Sequence, residues 1–204
     1  VPLLAKSDGS KFGKTASGAI WLDATMTSAY EFFQFWLNSD DADMPKLLKV
    51  FSMKDRKEIE RLIETVNTNP GAREAHRELA REMTTLIHGA DMAKKVEEAA
   101  KALFGQGEIS ELDLATLDSA LSQLPKTQVK KGEDFPTWVD LLAATGVVDS
   151  KSAARRIVKE GGAYLNNKKV ESEDFTPSKS DLLHGKYLLL RKGKRDLAAV
   201  EVVA

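Results

Sequence analysis

At 204 residues, 42% apolar and 30% charged, the chain has the composition of one or two globular domains with enough apolar mass for a core, which argues against disorder. The absence of cysteine removes disulfides, thiolate zinc sites, iron–sulfur clusters and Cys nucleophiles, and fits a reducing compartment. The net charge of -1 is unevenly spread: residues 1–124 hold 15 Lys+Arg against 20 Asp+Glu, residues 125–204 hold 15 against 11, and 150–195 hold 12 against 5. One basic end on a near-neutral chain suggests a local anionic partner, nucleic acid first, with a solvated charged face as the alternative. Apolar runs such as 187–190 are far shorter than the roughly 20 residues a membrane helix needs, so no membrane role is expected. Residue 1 is Val and no signal-peptide pattern follows it, so the chain reads as a fragment lacking its N-terminal part.

The first 26 residues, rich in Gly, Ser, Thr and Lys, read as a loop segment. Ser28 with Glu31 forms a capping box that opens a helix over 29–38, aromatic on nearly all sides (Tyr30, Phe32, Phe33, Phe35, Trp36) and therefore buried. Asp43 caps a short helix with Pro45 in its first turn and Leu47, Leu48 and Phe51 inward. Ser52 with Asp55 opens the next, where Ile59, Leu62, Ile63 and Val66 share a face. Asn69-Pro70 starts a helix carrying Ala72, Ala75, Leu79, Met83 and Ile87, with Gly89 just past its end. Asp91 caps a helix running to Phe104 and stopped by Gly105, and an amphipathic stretch over 110–124 ends at Pro125. These elements make a helical bundle.

Residues 125–134 lack apolar periodicity and read as a linker. A second unit starts near Phe135, with a short helix around Trp138, Leu141 and Leu142 and a second over 151–160, capped by Ser150 and stopped by Gly161-Gly162. Strand-like runs follow at 163–165, 169–171, 187–190 and 198–203, with turns at Asn166-Asn167 and Gly193.

The segment Gly-Ser-Lys-Phe-Gly-Lys-Thr at 9–15 fails the phosphate-binding P-loop pattern, because position 8 is Asp where that pattern needs Gly. It remains a glycine-rich loop with two lysines three apart, chemistry suited to phosphate charge; read alone, it also fits an ordinary basic surface loop. The segment resembles the KMSKS signature of class I aminoacyl-tRNA synthetases in its Lys-Phe-Gly-Lys-Thr form. The surrounding run through Ala19-Ile20-Trp21-Leu22-Asp23 and the Thr-Ser-Ala-Tyr-Glu-Phe-Phe-Gln-Phe-Trp-Leu-Asn stretch at 27–38 resemble the bacterial tyrosyl enzymes in order and spacing. The resemblance continues through Leu79-Ala80 and His88-Gly89 into the tail. It implies that Lys11 and Lys14 stabilise pyrophosphate charge during amino-acid activation, with Lys14 the main ATP contact and Gly13 and Thr15 also at the nucleotide. Thr15 keeps the hydroxyl of the motif's last serine, whereas Gly13 leaves only backbone amides at its position.

In the second unit, Ala153, Ala154, Ile157 and Val158 supply an inner helix face while Lys151, Arg155 and Lys159 lie four apart on an outer stripe. Arg156 flanks the stripe, and the Asn-Asn-Lys-Lys turn adds Lys168 and Lys169; a basic but inert helix is the alternative. The Ala-Arg-Arg helix, glycine stop and Leu-Asn-Asn turn resemble the S4 RNA-binding module that tyrosyl members carry C-terminally to grip tRNA.

Three weaker features read as structural. Asp40-Asp41-Ala42-Asp43 is a cap-and-loop cluster rather than a metal site, and no metal site is expected. His76 and His88 lie twelve apart, facing roughly one side of a helix, as structural or RNA-facing groups. The aromatic helix is core rather than a stacking surface.

The expectation is a mainly α helical bundle followed by a small α+β S4-type module, with the family's Rossmann-like catalytic domain absent from this chain. Its parts are an activation loop and connection (1–26), a helical anticodon-binding domain (27–124), a linker (125–134) and an S4 domain (135–204). The resemblance implies a tyrosine–tRNA ligase using ATP with Mg2+, with tRNA(Tyr) and tyrosine as partners. It further implies a cytoplasmic homodimer paired through the missing domain, this chain being inactive alone. The alternative is a non-catalytic S4-domain RNA-binding protein, which has no evident use for residues 11–15.

Overall fold

The structure, a computed structural model, describes residues 4–15, 18–132 and 134–203; the side chains of Lys14 and Thr15 lie outside that description. The chain forms two compact units, residues 1–97 and 98–204.

The first unit opens with a small antiparallel pair, β1 (Lys14–Thr15) and β2 (Gly18–Ala19). Helices α1 (Ala29–Leu37), α2 (Met44–Phe51), α3 (Arg56–Thr68) and α4 (Glu74–His88) follow, and α5 (Ala90–Leu103) begins. The capping box at α1 forms as expected: the Ser28 hydroxyl accepts from Glu31 N at 3.2 Å and Glu31 accepts from Ser28 N at 2.8 Å. Tyr30, Phe32, Phe33 and Trp36 are buried, as the all-round apolar pattern requires.

Several local expectations shift, Asp91 among them, which lies inside α5 rather than before it. Asp55, not Ser52, caps α3, accepting from Glu58 N at 2.8 Å; Ser52 closes α2, its N–H donating to Leu48 O. Asp43 stands at the N-cap position of α2 without a cap hydrogen bond. The helix expected from Asn69-Pro70 is a 3₁₀ turn (Pro70–Ala72) separated from α4 by Arg73, whose φ of 48° is left-handed. That strain is offset by the Arg73 guanidinium, which donates to Leu37 O at 2.7 Å and Ser39 O at 3.0 Å and so ties the chain to the end of α1. Ala75, Leu79, Ala80 and Met83 form the buried face of α4, and Ile87 at its end is exposed.

The second unit holds the end of α5, α6 (Leu114–Ser122), β3 (Lys126–Lys130), α7 (Trp138–Ala144), α8 (Lys151–Lys159), β4 (Ala163–Leu165), β5 (Lys168–Lys169), β6 (Tyr187–Lys192) and β7 (Asp196–Val203). The five-stranded sheet has the order β3-β7-β6-β4-β5. β3 pairs parallel to β7, Lys126 opposite Ala199 through Lys130 opposite Val203, and the remaining pairs are antiparallel. Residues 126–130, expected within a linker, are therefore an edge strand. Only Val129 among them is buried, because an edge strand is held along one side by main-chain bonds, and its exposed lysines suit an open edge. The core packs Trp138, Leu141 and Leu142 of α7 and Ala154 and Val158 of α8 against Leu165, Leu188, Leu190, Ala198 and Val200. The Trp138 indole, fully buried, donates to Tyr164 O at 3.1 Å.

Candidate functional site

In the first unit the lysine segment forms the return arm of a small hairpin. Ala5 pairs with Lys11, Lys6 N donates to Ser10 O at 2.9 Å and Phe12 N to Leu4 O at 3.2 Å. Asp8 closes the turn, accepting from Ser10 N at 2.8 Å, and Gly9 takes the left-handed φ of 81°. Lys11 is exposed and makes no ion pair among the described residues, so its ammonium is available to an anion. Gly13 has a φ of 80°, a conformation where any side chain is strained; this accounts for glycine at that position. The backbone of Lys14 and Thr15 lies in β1; their side chains, expected at the nucleotide, lie outside the described residues.

In the second unit, Ser150 caps α8 by accepting from Ala153 N at 3.2 Å, so the basic stripe starts where expected. The structure adds counter-ions that the sequence pattern did not expose. Lys151 Nζ lies 2.7 Å from Asp140 Oδ1, while Arg155 and Lys159 share Glu173 at 3.7 and 3.2 Å. The Lys151 hydrogen bond, and after it that of Thr137, holds the Asp140 carboxyl below the ordinary range. Arg156, Lys168 and Lys169 are exposed and make no ion pair among the described residues. Lys169 Nζ lies 3.1 Å from where a Cβ on Gly161 would stand, so the hairpin's cation sits over the end of α8, and Gly161 leaves room for it. The six predicted cations thus fall on α8 and the adjoining β4–β5 hairpin, five of them on or near the helix and Lys168 beside Lys169 on the edge strand.

The two asparagines of that hairpin turn, φ 46° and 67°, occupy the left-handed positions of a tight two-residue turn. Asn166 donates to Asp181 O at 2.6 Å and accepts from Leu189 N at 2.8 Å; Asn167 donates to Ala102 O at 2.6 Å. Their amides hold the fold and present the lysines.

Of the weaker features, His76 is 1% exposed, with Nε2 3.0 Å from Asp41 Oδ1, and burial outweighs that carboxylate to lower its pKa. His88 packs edge-on against Phe32 at 5.1 Å, and burial lowers its pKa too. The Asp40–Asp43 carboxylates diverge: Asp40 accepts from Ala42 N, Asp41 faces His76, and Asp43 accepts from Ser7 N. Among the described residues, no three His or acidic side chains are grouped to hold a metal, and no helix is long and apolar enough to cross a membrane.

Residues 1–105 match the family of tRNA synthetases class I (W and Y), and residues 116–200 match the tyrosine–tRNA ligase SYY-like C-terminal domain. A tyrosine–tRNA ligase of Streptomyces avermitilis is 59% identical over 98% of this chain and 47% of its own length; one from Thermobifida fusca is 52% identical over 97% and 46%. A C-terminally truncated Aspergillus nidulans mitochondrial tyrosyl-tRNA synthetase matches 42% of this chain and 25% of its own, at 40% identity and a TM-score of 0.41, too low to bear on the fold. The chain belongs to the tyrosyl-tRNA synthetase family. It spans about half the length of the curated relatives it matches.

Proposed function

We propose that this chain is the C-terminal half of a tyrosine–tRNA ligase, supplying an ATP-contacting loop and the tRNA-binding surface of a longer protein. In activation, the tyrosine carboxylate attacks the α-phosphate of ATP and pyrophosphate departs; Lys11 and Lys14 neutralise charge developing on the leaving group, with Gly13 and Thr15 beside it. Magnesium would arrive with the nucleotide. Lys151, Arg155, Arg156, Lys159, Lys168 and Lys169 would contact tRNA(Tyr) phosphates from an S4-type module over 135–204, extended by β3. Residues 27–124 would be the anticodon-recognising helical region, and 1–26 the activation loop with its connection. The whole protein would be a cytoplasmic homodimer joined through its Rossmann-like catalytic domain, outside this chain.

One observation carries the reading: a lysine hairpin and a basic helix–hairpin face occur in one chain whose full extent is matched by relatives named tyrosine–tRNA ligase. A stand-alone RNA-binding protein has no use for the hairpin. The test is tyrosine-dependent ATP–pyrophosphate exchange and tRNA charging by the full-length protein. Both activities are expected, and failure of exchange with tyrosine under conditions where the protein is folded refutes the proposal.

A further inference from the structure

Phe12 is the one aromatic residue inside the basic segment 9–15, and its ring is held by the helices of the first unit. Its centroid lies 5.4 Å from Phe35, 5.6 Å from Trp36 and 5.3 Å from Phe51, so α1 and α2 together form an aromatic seat for it. The other arm of the hairpin is held independently. The Asp43 carboxylate accepts from Ser7 N at 2.6 Å, and Lys46 donates to Ala5 O at 2.9 Å. Asp43 is only 7% exposed and occupies the N-cap position of α2, yet makes no cap hydrogen bond there. A buried carboxylate needs a donor, and this one takes its donor from the arm that pairs with the lysine segment rather than from its own helix. Because Ala5 pairs with Lys11, and Phe12 N with Leu4 O, the seated hairpin fixes Lys11 as well.

We propose that Phe12, seated among Phe35, Trp36 and Phe51 and backed by the Asp43–Ser7 tie, is a positioning residue for Lys11 of the nucleotide loop. The proposal rests on the reading of residues 11–15 as the ATP-contacting loop. Ring contacts of this kind add stabilisation beyond area burial, and a displacement of about 1 Å in a positioning group can cost about 10²-fold in rate.

The test uses the full-length protein and the variants Phe12→Ala, Phe12→Tyr and Asp43→Ala. Hydrogen exchange of residues 4–13 is expected to accelerate at least about ten-fold in Phe12→Ala and Asp43→Ala while α3 and α4 keep their protection, and Phe12→Tyr, which retains the ring, is expected to restore it. In tyrosine-dependent pyrophosphate exchange, Phe12→Ala should lose about 10- to 100-fold in kcat with the KM for tyrosine unchanged. Unchanged protection of 4–13 overturns the seat. Wild-type kinetics in a folded Phe12→Ala overturns the positioning role, as does a loss that tracks the folded fraction of the whole protein. A folded wild type without tyrosine-dependent exchange overturns the ligase reading and the catalytic half of this proposal with it, while the exchange protection still decides the seat.

Discussion

Arg156→Ala tests whether the basic face binds phosphate through its unpaired cations. Arg156 is exposed on α8 with no ion pair among the described residues, so in free protein its counter-ion comes from the salt. A phosphate contact releases that ion, contributing a slope in log K against log salt of about 0.9 on duplex or about 0.7 on single strands. Lys151 instead has Asp140 at 2.7 Å, and Arg155 and Lys159 share Glu173 at 3.7 and 3.2 Å. Phosphate must displace those carboxylates, which then collect cations themselves, so net release per contact is smaller. Exposed pairs contribute about 0–1 kcal/mol each, so the carboxylates can be displaced and the residues still bind. The expected order follows. Arg156→Ala should flatten the salt slope of tRNA binding by about 0.7 to 0.9 units, with Lys151→Ala and Arg155→Ala each flattening it less. Glu173→Gln should tighten binding and steepen the slope. Fluorescence anisotropy with cognate and non-cognate tRNA over a salt series reads all four, and both RNAs should respond alike because phosphate contacts carry no sequence information. Lys151→Ala exceeding Arg156→Ala, or Glu173→Gln weakening binding, would refute the counter-ion argument.

Lys14→Ala in the full-length protein should slow single-turnover tyrosyl-adenylate formation by about 10²- to 10³-fold, the typical cost of one charge-stabilising donor, without weakening tyrosine binding; equal losses in both would place Lys14 outside the chemistry. Tyr187→Phe removes a hydroxyl that donates to Asp118 at the joint of α6 and β6, and should cost about 1 kcal/mol, or roughly 4–5 °C in the melting temperature of the second unit. An unchanged melt would show that bond to be dispensable. His76 should make the first unit less stable in mild acid. Its folded pKa lies below 6.5 because burial disfavours the charged ring, so its stabilisation is complete above pH 6.5 and lost as pH falls through the lower folded value. A His76→Gln variant should show a flatter melting profile between about pH 7 and 5, measured beside His88→Gln because burial lowers that pKa as well. A wild-type profile in His76→Gln would contradict this.

The helical order was legible because its signals are local. Ser28 with Glu31, Ser150 before α8, and Gly105 at φ 79° after α5 each act within one turn of the residues that reveal them. The cations of the basic face were legible for the same reason, since a spacing of four places Lys151, Arg155 and Lys159 on one stripe. Their counter-ions were not: Asp140 lies on α7 and Glu173 beyond the hairpin, and only packing brings them to α8. The parallel strand β3 escaped because its partner β7 lies about 70 residues away and an edge strand needs no apolar alternation. Asp43 reads as a helix cap from its neighbours, whereas the donor it serves is Ser7, 36 residues earlier. Phe12 carried a visible signal, an aromatic ring amid Lys, Gly and Thr, but nothing in the segment says where the ring goes.

The reading of residues 11–15 as a loop for ATP chemistry directed at tyrosine stands or falls on one activity. The most direct measurement is tyrosine-dependent ATP–pyrophosphate exchange by the full-length protein, wild type beside Lys11→Ala/Lys14→Ala. Robust exchange is expected with tyrosine, little with tryptophan, and a loss of at least about 10²-fold in the double variant while tyrosine still binds. A folded wild type that fails to exchange with tyrosine, or a double variant that exchanges at the wild-type rate, would contradict it.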